Sequence, residues 1–296
     1  MKKIAFLISA HHEKGHLEKL LKKLDHVGCQ SFVHWDQKSG PLPADMPAVF
    51  CRRRYNVLWG GFSQVKATLE LFRTALSHGE FDYFCLLSGV DYPVRPISQL
   101  QDFLSEVPVD YINVTEFGRM GKSIERILCP HMEGAIRCVG LVPILKRIAN
   151  AAMRVCYRRF GYTRRLPRGF KIEDFRAGSN WFCLRASTVQ IILEELNRNY
   201  DFLRFCEATL CPDEFFFQTL INKFVNDGMQ RPNFHYADWE KGDPPYPSIL
   251  DERHLPELLE ARIAADGYGP ERPCFFARKF SDESGTLIEE IDAQKP

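Results

Sequence analysis

The sequence predicts an α/β fold, with a mostly parallel central sheet flanked by helices. Three observations carry this. Residues 4–10 are a short apolar run followed by Leu17, Leu20, Leu21 and Leu24 at helical spacing, so a strand leads into an amphipathic helix. Residues 81–87 (Phe-Asp-Tyr-Phe-Cys-Leu-Leu) are almost continuously apolar, as a strand covered on both faces must be. Polar loops then leave the carboxyl ends of the predicted strands, the edge where open α/β sheets bind ligands.

The elements follow in order. After the first strand and helix, residues 31–36 form a second strand that ends at Asp36 and runs into the polar loop 36–40. Pro41, Pro43 and Pro47 make 41–56 a loop, a short strand and another loop. Trp59-Gly60-Gly61-Phe62 leads to Ser63, an expected N-cap, and Val65, Leu69, Phe72 and Leu76 share a helical face. The apolar strand 81–87 ends in Ser88-Gly89-Val90-Asp91-Tyr92-Pro93. Ile97, Leu100, Phe103 and Leu104 mark a short helix, and residues 110–114 a strand. Beyond the middle of the chain, Gly178-Ser179-Asn180-Trp181 turns into a strand, and a helix follows. Cys211-Pro212-Asp213-Glu214 opens a helix in which Phe216, Leu220 and Phe224 recur, because proline suits a first helical position and acids complement the dipole there. Residues 234–240 read as a strand and 274–280 as the last core segment, with a loose acidic end at 281–296.

The totals exclude several classes of function. At 296 residues and 45% hydrophobic content, the chain can bury a large core without disulfides or metal. With 39 basic against 38 acidic residues, no general excess of positive charge points to nucleic acid. The ten cysteines are scattered, with no Cys-x-x-Cys pair, and read as small buried hydrophobes instead of a zinc site. The apolar run at the start is too short for a spanning helix and lacks a cleavage region, so the expected location is the cytoplasm.

One stretch departs from this even distribution. Residues 137–171 hold ten Lys or Arg and no Asp or Glu. Within them Leu141, Ile144, Leu145, Ile148, Ala152 and Val155 share a helical face, beside Lys146, Arg147, Arg154 and Arg158. Such a helix either lies on a membrane surface or faces the core with a solvated basic side; nucleic-acid binding is a weaker third reading, because the stretch has few aromatics for stacking. Just upstream, Gly118-Arg119-Met120-Gly121-Lys122-Ser123 is not a phosphate loop: that motif needs glycine where this chain has Glu116. Residues 118–175 are taken as a basic, partly helical insertion within a single domain, 1–296.

Taken together, seven segments resemble the core-2/I-branching enzyme family of glycosyltransferases, which includes branching N-acetylglucosaminyltransferases and peptide O-xylosyltransferases. They are His34-Trp35-Asp36-Gln37-Lys38-Ser39, Trp59-Gly60-Gly61-Phe62-Ser63, Leu87-Ser88-Gly89-Val90-Asp91-Tyr92-Pro93, Gly178-Ser179-Asn180-Trp181, Pro212-Asp213-Glu214-Phe215-Phe216-Phe217-Gln218-Thr219, Asp238-Trp239, and Phe276-Ala277-Arg278-Lys279-Phe280. The resemblance implies a GT-A-like nucleotide-sugar-binding fold and inverting transfer from a UDP-sugar to an acceptor hydroxyl. It makes Glu214 the general base and gives the departing diphosphate to Lys279 with Arg278 beside it. Ala10, Asp36 and Trp59 fall to the donor side, and Arg253 is taken as a second diphosphate contact from its position. Read without the resemblance, Asp36 caps its loop, Asp91 caps its turn, and Arg278 and Lys279 are surface charges.

On the acceptor side the resemblance implies Trp239, with Ser179, Trp181 and Asp213 around it; a core role competes for Trp181, and Asp213 is expected to cap or orient. Arg119, Lys122 and Glu125 lie where the family recognises its acceptor. No Asp-x-Asp pair occurs in the chain, and the family resembled uses basic side chains instead, so no metal and no cofactor is expected beyond the UDP-sugar. The expected partners are that donor and a glycan or lipid-linked glycan acceptor, with peripheral contact at the inner membrane face and no nucleic acid. An inert carbohydrate-binding or scaffolding relative is the alternative.

Overall fold

The computed structural model describes residues 1–118, 122–240, 246–260, 262, 263 and 271–294. Its strands are β1 (Ile4–Ala10), β2 (Cys29–Trp35), β3 (Val49–Phe50), β4 (Tyr83–Ser88), β5 (Asp91–Pro93), β6 (Asp110–Ile112), β7 (Phe182–Arg185), β8 (Gln230–Arg231), β9 (His235–Ala237), β10 (Arg262–Ile263), β11 (Arg272–Pro273) and β12 (Phe276–Arg278). Seven of them form the central sheet, in the order β3-β2-β1-β4-β7-β6-β8. β1 is parallel to β2 and β4, β2 to β3, and β6 to β8, whereas β7 runs antiparallel to β4 and β6. A small sheet, β5-β12-β9, lies beyond the end of β4. The mostly parallel sheet is the one the apolar runs predict, and the arrangement is GT-A-like.

Alternation along β1 divides the core in two. Ile4, Phe6 and Ile8 join one apolar cluster, together with Leu17, Leu20, Leu21 and Leu24 of α1 (Lys14–Leu24). Ala5 and Leu7 join the other, with Val65, Leu69 and Phe72 of α2 (Ser63–Leu76). Successive side chains of a strand point to opposite faces, so a continuous apolar run requires helices on both sides. Leu100 and Leu104 of α3 (Ile97–Glu106) extend the first cluster; Val189 and Ile192 of α6 (Ala186–Arg198), Phe202 and Phe205 of α7 (Tyr200–Cys206), and Phe216 of α8 (Phe216–Leu220) extend the second.

Between β6 and β7 the chain leaves the sheet. An antiparallel bridge between Thr115 and Ala177 closes the neck of this excursion, which carries α4 (Glu125–Leu128) and α5 (Leu141–Phe160). The core-facing reading of α5 does not hold: Leu141, Ile144, Leu145, Ile148 and Val155 are all exposed, and Asn150 is its one buried residue. Helical periodicity fixes which residues share a stripe, but not which way the stripe points. Among the described residues no helix is long and apolar enough to cross a membrane.

Three further expectations are corrected. Ser63 does not cap α2 but is its first residue, and its hydroxyl is taken by Glu133 and the Leu58 amide. The Pro-Asp-Glu helix is not continuous: a 3-10 turn over Pro212–Glu214 is interrupted at Phe215 (φ −148°) before α8 begins, which sends Phe215, Phe216 and Phe217 all into the core. The acidic end is not loose over its described residues, 281–294. After α9 (Leu255–Leu259), α10 (Gly285–Ala293) docks on the first core cluster through Leu287, Ile288 and Ile291, and Tyr92 donates to Asp292 at 2.9 Å. Seven of the ten cysteines are buried, as small hydrophobes should be.

Candidate active site

The carboxyl ends of β1, β2 and β4 form the floor of the site. Asp36 leaves β2 buried, its amide donating to the carbonyl of Ala10 at 2.9 Å. Its Oδ1 accepts from the amides of Lys38 (3.0 Å) and Val57 (3.4 Å), so it caps its own loop and ties in the segment leading to Trp59. The turn after β4 passes over Ala10 so closely that a Cβ on Gly89 would lie 2.7 Å from the Ala10 Cβ, a contact only glycine allows.

Asp91, fully buried, is the anchor of the cationic wall. Burial pushes its pKa up, and Arg278 opposes that shift most strongly. The carboxylate accepts from the Ser88 amide at 2.8 Å and the Ser88 hydroxyl at 2.5 Å, and faces Arg278 Nε at 3.4 Å. Antiparallel pairing of β5 with β12 sets Arg278 opposite Asp91. The guanidinium lies 4.2 Å from the centre of the Trp181 ring, which in turn stacks on His235 at 5.8 Å. His235 is buried among Arg278 and Arg272, and burial followed by those charges lowers its pKa to about 3, so it is a neutral platform.

Lys279 continues the wall. Its ammonium sits 4.3 Å from the centre of the Tyr246 ring, and burial, then Arg278 and Arg137, lower its pKa to about 8. Arg137, from the excursion between β6 and β7, is sandwiched between Trp59 (4.1 Å) and Tyr246 (4.3 Å). Three cations therefore interleave with three aromatic rings, and this crowding of positive charge favours a bound anion.

Glu214 belongs to a second group of side chains. Cys211 enters its turn at φ +50° and its amide donates to the carbonyl of Gly60 at 2.8 Å, joining the Trp59 loop to the Pro-Asp-Glu turn. Glu214 Oε2 pairs with Arg126 and, at 3.2 Å, with Lys122, whose ammonium also donates to the carbonyl of Gly178. Among the described residues no hydrogen bond reaches Glu214 Oε1. The Gly178 amide donates to the Glu214 carbonyl at 2.8 Å, and a Cβ on Gly178 would lie 1.7 Å from the Asn113 carbonyl oxygen. Ser179 is fixed beside it by Asn233 (2.6 Å) and Gln218 (2.7 Å). Asp213 is buried, accepts from Gln64 at 3.3 Å, and has its pKa pushed up by burial first and by the Glu214 charge second.

The structure thus brings Glu214 together with Lys122, Trp181 with Arg278, and Trp59 with Lys279 through Arg137 and Tyr246. It does not bring in every residue singled out from sequence. Glu125 points outward into a fork with Arg158, at 2.9 Å on both oxygens. Arg253 is committed to Asp251 on the surface, with 85% of its side chain exposed. Arg119 lies outside the described residues, whereas Trp239 follows β9, the strand paired with β12 and Arg278, and is 57% exposed. Sequence reasoning missed Arg126, Arg137 and Tyr246. Arg126 stands on α4 while Lys122 precedes that helix, so their meeting at Glu214 has no helical spacing to announce it; Arg137 had no signal either, because its partners are distant in the chain.

Residues 4–258 match the model of the family described as Core-2/I-Branching enzyme. The chain is similar to Xylosyltransferase 1 of Homo sapiens, 27% identical over 296 residues, covering 94% of this chain and 29% of that protein. It is also similar to Xylosyltransferase 2 of Homo sapiens, 25% identical over 306 residues with 98% and 33% covered, and to a xylosyltransferase of Ciona intestinalis, 24% identical over 310 residues with 95% and 32% covered. The chain spans about a third of the length of the curated relatives it matches.

Proposed function

The chain belongs to the core-2/I-branching enzyme family, and from that premise we propose that it is a glycosyltransferase moving a sugar from a UDP-sugar to an acceptor hydroxyl. The observation that carries this is a pair of side-chain groups: a carboxylate with one oxygen held by two cations, and Arg137, Arg278 and Lys279 interleaved with aromatic rings. The hydrogen bond from the Cys211 amide to the Gly60 carbonyl joins the turn that carries the first to the loop that carries Trp59 of the second.

In the reaction so read, the acceptor oxygen attacks the anomeric carbon while its proton passes to Glu214 Oε1. The bond from that carbon to the diphosphate breaks, and UDP leaves with the electron pair. A single displacement inverts the anomeric centre. Arg126 and Lys122 hold Oε2, which leaves the carboxylate oriented for this one transfer. Lys279, Arg278 and Arg137 supply the positive charge that the leaving diphosphate develops against, the role a metal plays at an Asp-x-Asp pair, and the chain contains no such pair. Asp91 keeps Arg278 in position, and Trp59 and Tyr246 keep Arg137 in position.

Calorimetric titration of UDP and a panel of UDP-sugars in EDTA tests this. Binding that survives chelation and weakens at least tenfold in Lys279→Ala is the expected outcome, and the tightest sugar names the donor. No binding of any uridine nucleotide, with or without Mn²⁺, would overturn the reading and favour an inert carbohydrate-binding relative.

A further inference from the structure

The apolar stripe of α5 points away from the protein. At 3.6 residues per turn Leu141, Ile144, Leu145, Ile148, Ala152 and Val155 share one face, and Leu141 is 71% exposed and Ile148 and Val155 61% each. The opposite face is the one that rests on the body. There Lys146 donates to the Glu133 carbonyl at 2.8 Å, and the Asn150 side chain accepts from the Met132 amide at 2.9 Å. Exposed Val139 and Phe160 prolong the stripe at its two ends. A contiguous apolar surface of this kind is unfavourable in water and marks a contact with something else.

Charge identifies what covers it. Arg147, Arg154 and Arg158 run along one margin of the stripe, all exposed, and residues 137–171 carry ten basic side chains without one acid. Two copies of the chain meeting through this face would set like charges against each other. A bilayer with anionic headgroups satisfies both features: apolar side chains enter the acyl boundary, while guanidinium groups remain with the lipid phosphates.

We propose that α5 is a membrane-surface helix that docks the protein on an anionic lipid bilayer. Its placement gives the docking a consequence for the site. Arg158 holds Glu125, whose neighbour Arg126 pairs with Glu214. Lys146 holds Glu133, whose carboxylate accepts from Ser63 at the end of the Trp59 loop. The helix that touches the bilayer is thereby linked through Glu125 to the segment that carries Arg126, and through Glu133 to the start of α2 behind the Trp59 loop, and an acceptor displayed at the bilayer reaches Glu214 from that side. The docking stands apart from the transferase reading; the consequence for the acceptor rests on it.

Flotation of the full chain with vesicles tests the docking. The protein is expected to float with phosphatidylcholine vesicles containing 30% phosphatidylglycerol at low salt, and not with phosphatidylcholine alone. Ile148→Glu with Val155→Glu is expected to cut the bound fraction at least tenfold, and Arg147→Glu with Arg154→Glu several-fold, with the circular dichroism and UDP affinity of each variant unchanged. Absence of binding to the anionic vesicles would overturn the proposal. So would a concentration-dependent dimer that Ile148→Glu dissolves, since the stripe would then belong to a second copy. Vesicle binding without any binding of UDP would leave the docking in place and remove the transferase reading alone.

Discussion

Asp91 Oδ1 lies 3.4 Å from Arg278 Nε, with the Asp91 side chain fully buried and the Arg278 side chain 14% exposed. Two charges taken so far out of water are stable only because they meet, and because the Ser88 amide and hydroxyl fill the remaining lone pairs of the acid. The pair ties two neighbouring strands of the small sheet, since β5 carries the acid and β12 the base, and the Ser88 contacts tie Asp91 in turn to the end of β4 in the central sheet. The pair also fixes the Arg278 guanidinium against the Trp181 ring.

Asp91→Asn is therefore expected to destabilise the protein by about 3–5 kcal/mol, because Arg278 is left buried with no counter-charge. Adding Arg278→Met should recover part of that loss, so the double variant is less destabilised than the sum of the two singles. Urea unfolding of the four proteins measures this. Simple additivity would mean that the two charges do not depend on each other.

The amine of Lys279 titrates near the working range, at about 8, mainly because it is buried beside Arg278 and Arg137. A diphosphate binds the protonated form, so affinity for UDP should be steady below that value and fall as the pH rises through it. Lys279→Arg keeps its charge throughout and should flatten the profile between pH 7 and pH 9.5. A wild-type affinity that does not change over this range would take Lys279 out of the diphosphate site.

Much of the sheet was legible because its signals are local. The apolar runs at 4–10 and 81–87 announce strands covered on both faces, and β1 and β4 are those strands. The candidate base was legible from the resemblance carried by the Pro-Asp-Glu segment, although the helix expected there breaks at Phe215. What escaped depends on contacts between distant parts of the chain. Arg137 reaches Tyr246 across more than a hundred residues, and nothing near Arg137 in the sequence announces it. The C-terminal helix escaped for another reason: its acidic composition hid Leu287, Ile288 and Ile291, three residues whose spacing is enough to dock a short helix.

Asp213 gives a stability test with a definite sign. Burial and the neighbouring Glu214 raise its pKa above that of the unfolded chain. The native state thus holds a proton that the unfolded state releases, and the stability this contributes is complete below the unfolded value and lost as the pH rises through the folded one. Asp213→Asn does not titrate, and its amide oxygen can still accept from Gln64. The thermal midpoint of Asp213→Asn relative to wild type is expected to rise between pH 5 and pH 8. A constant difference would mean that the carboxyl ionises as freely in the fold as outside it.

Glu214→Gln separates chemistry from binding. Glutamine fills the same space and can keep a contact with Lys122 and Arg126 through its oxygen, but it cannot take a proton from an attacking hydroxyl. Transfer is expected to fall about 10²–10⁴-fold, the usual contribution of a general base, while UDP affinity stays within a factor of about two to three because the cations facing the diphosphate are untouched. Single-turnover transfer together with UDP titration reads both quantities. Retention of more than a tenth of the transfer rate would move the base elsewhere. Asp213 is poorly suited to inherit the role: it is buried, and Gln64 occupies one of its oxygens.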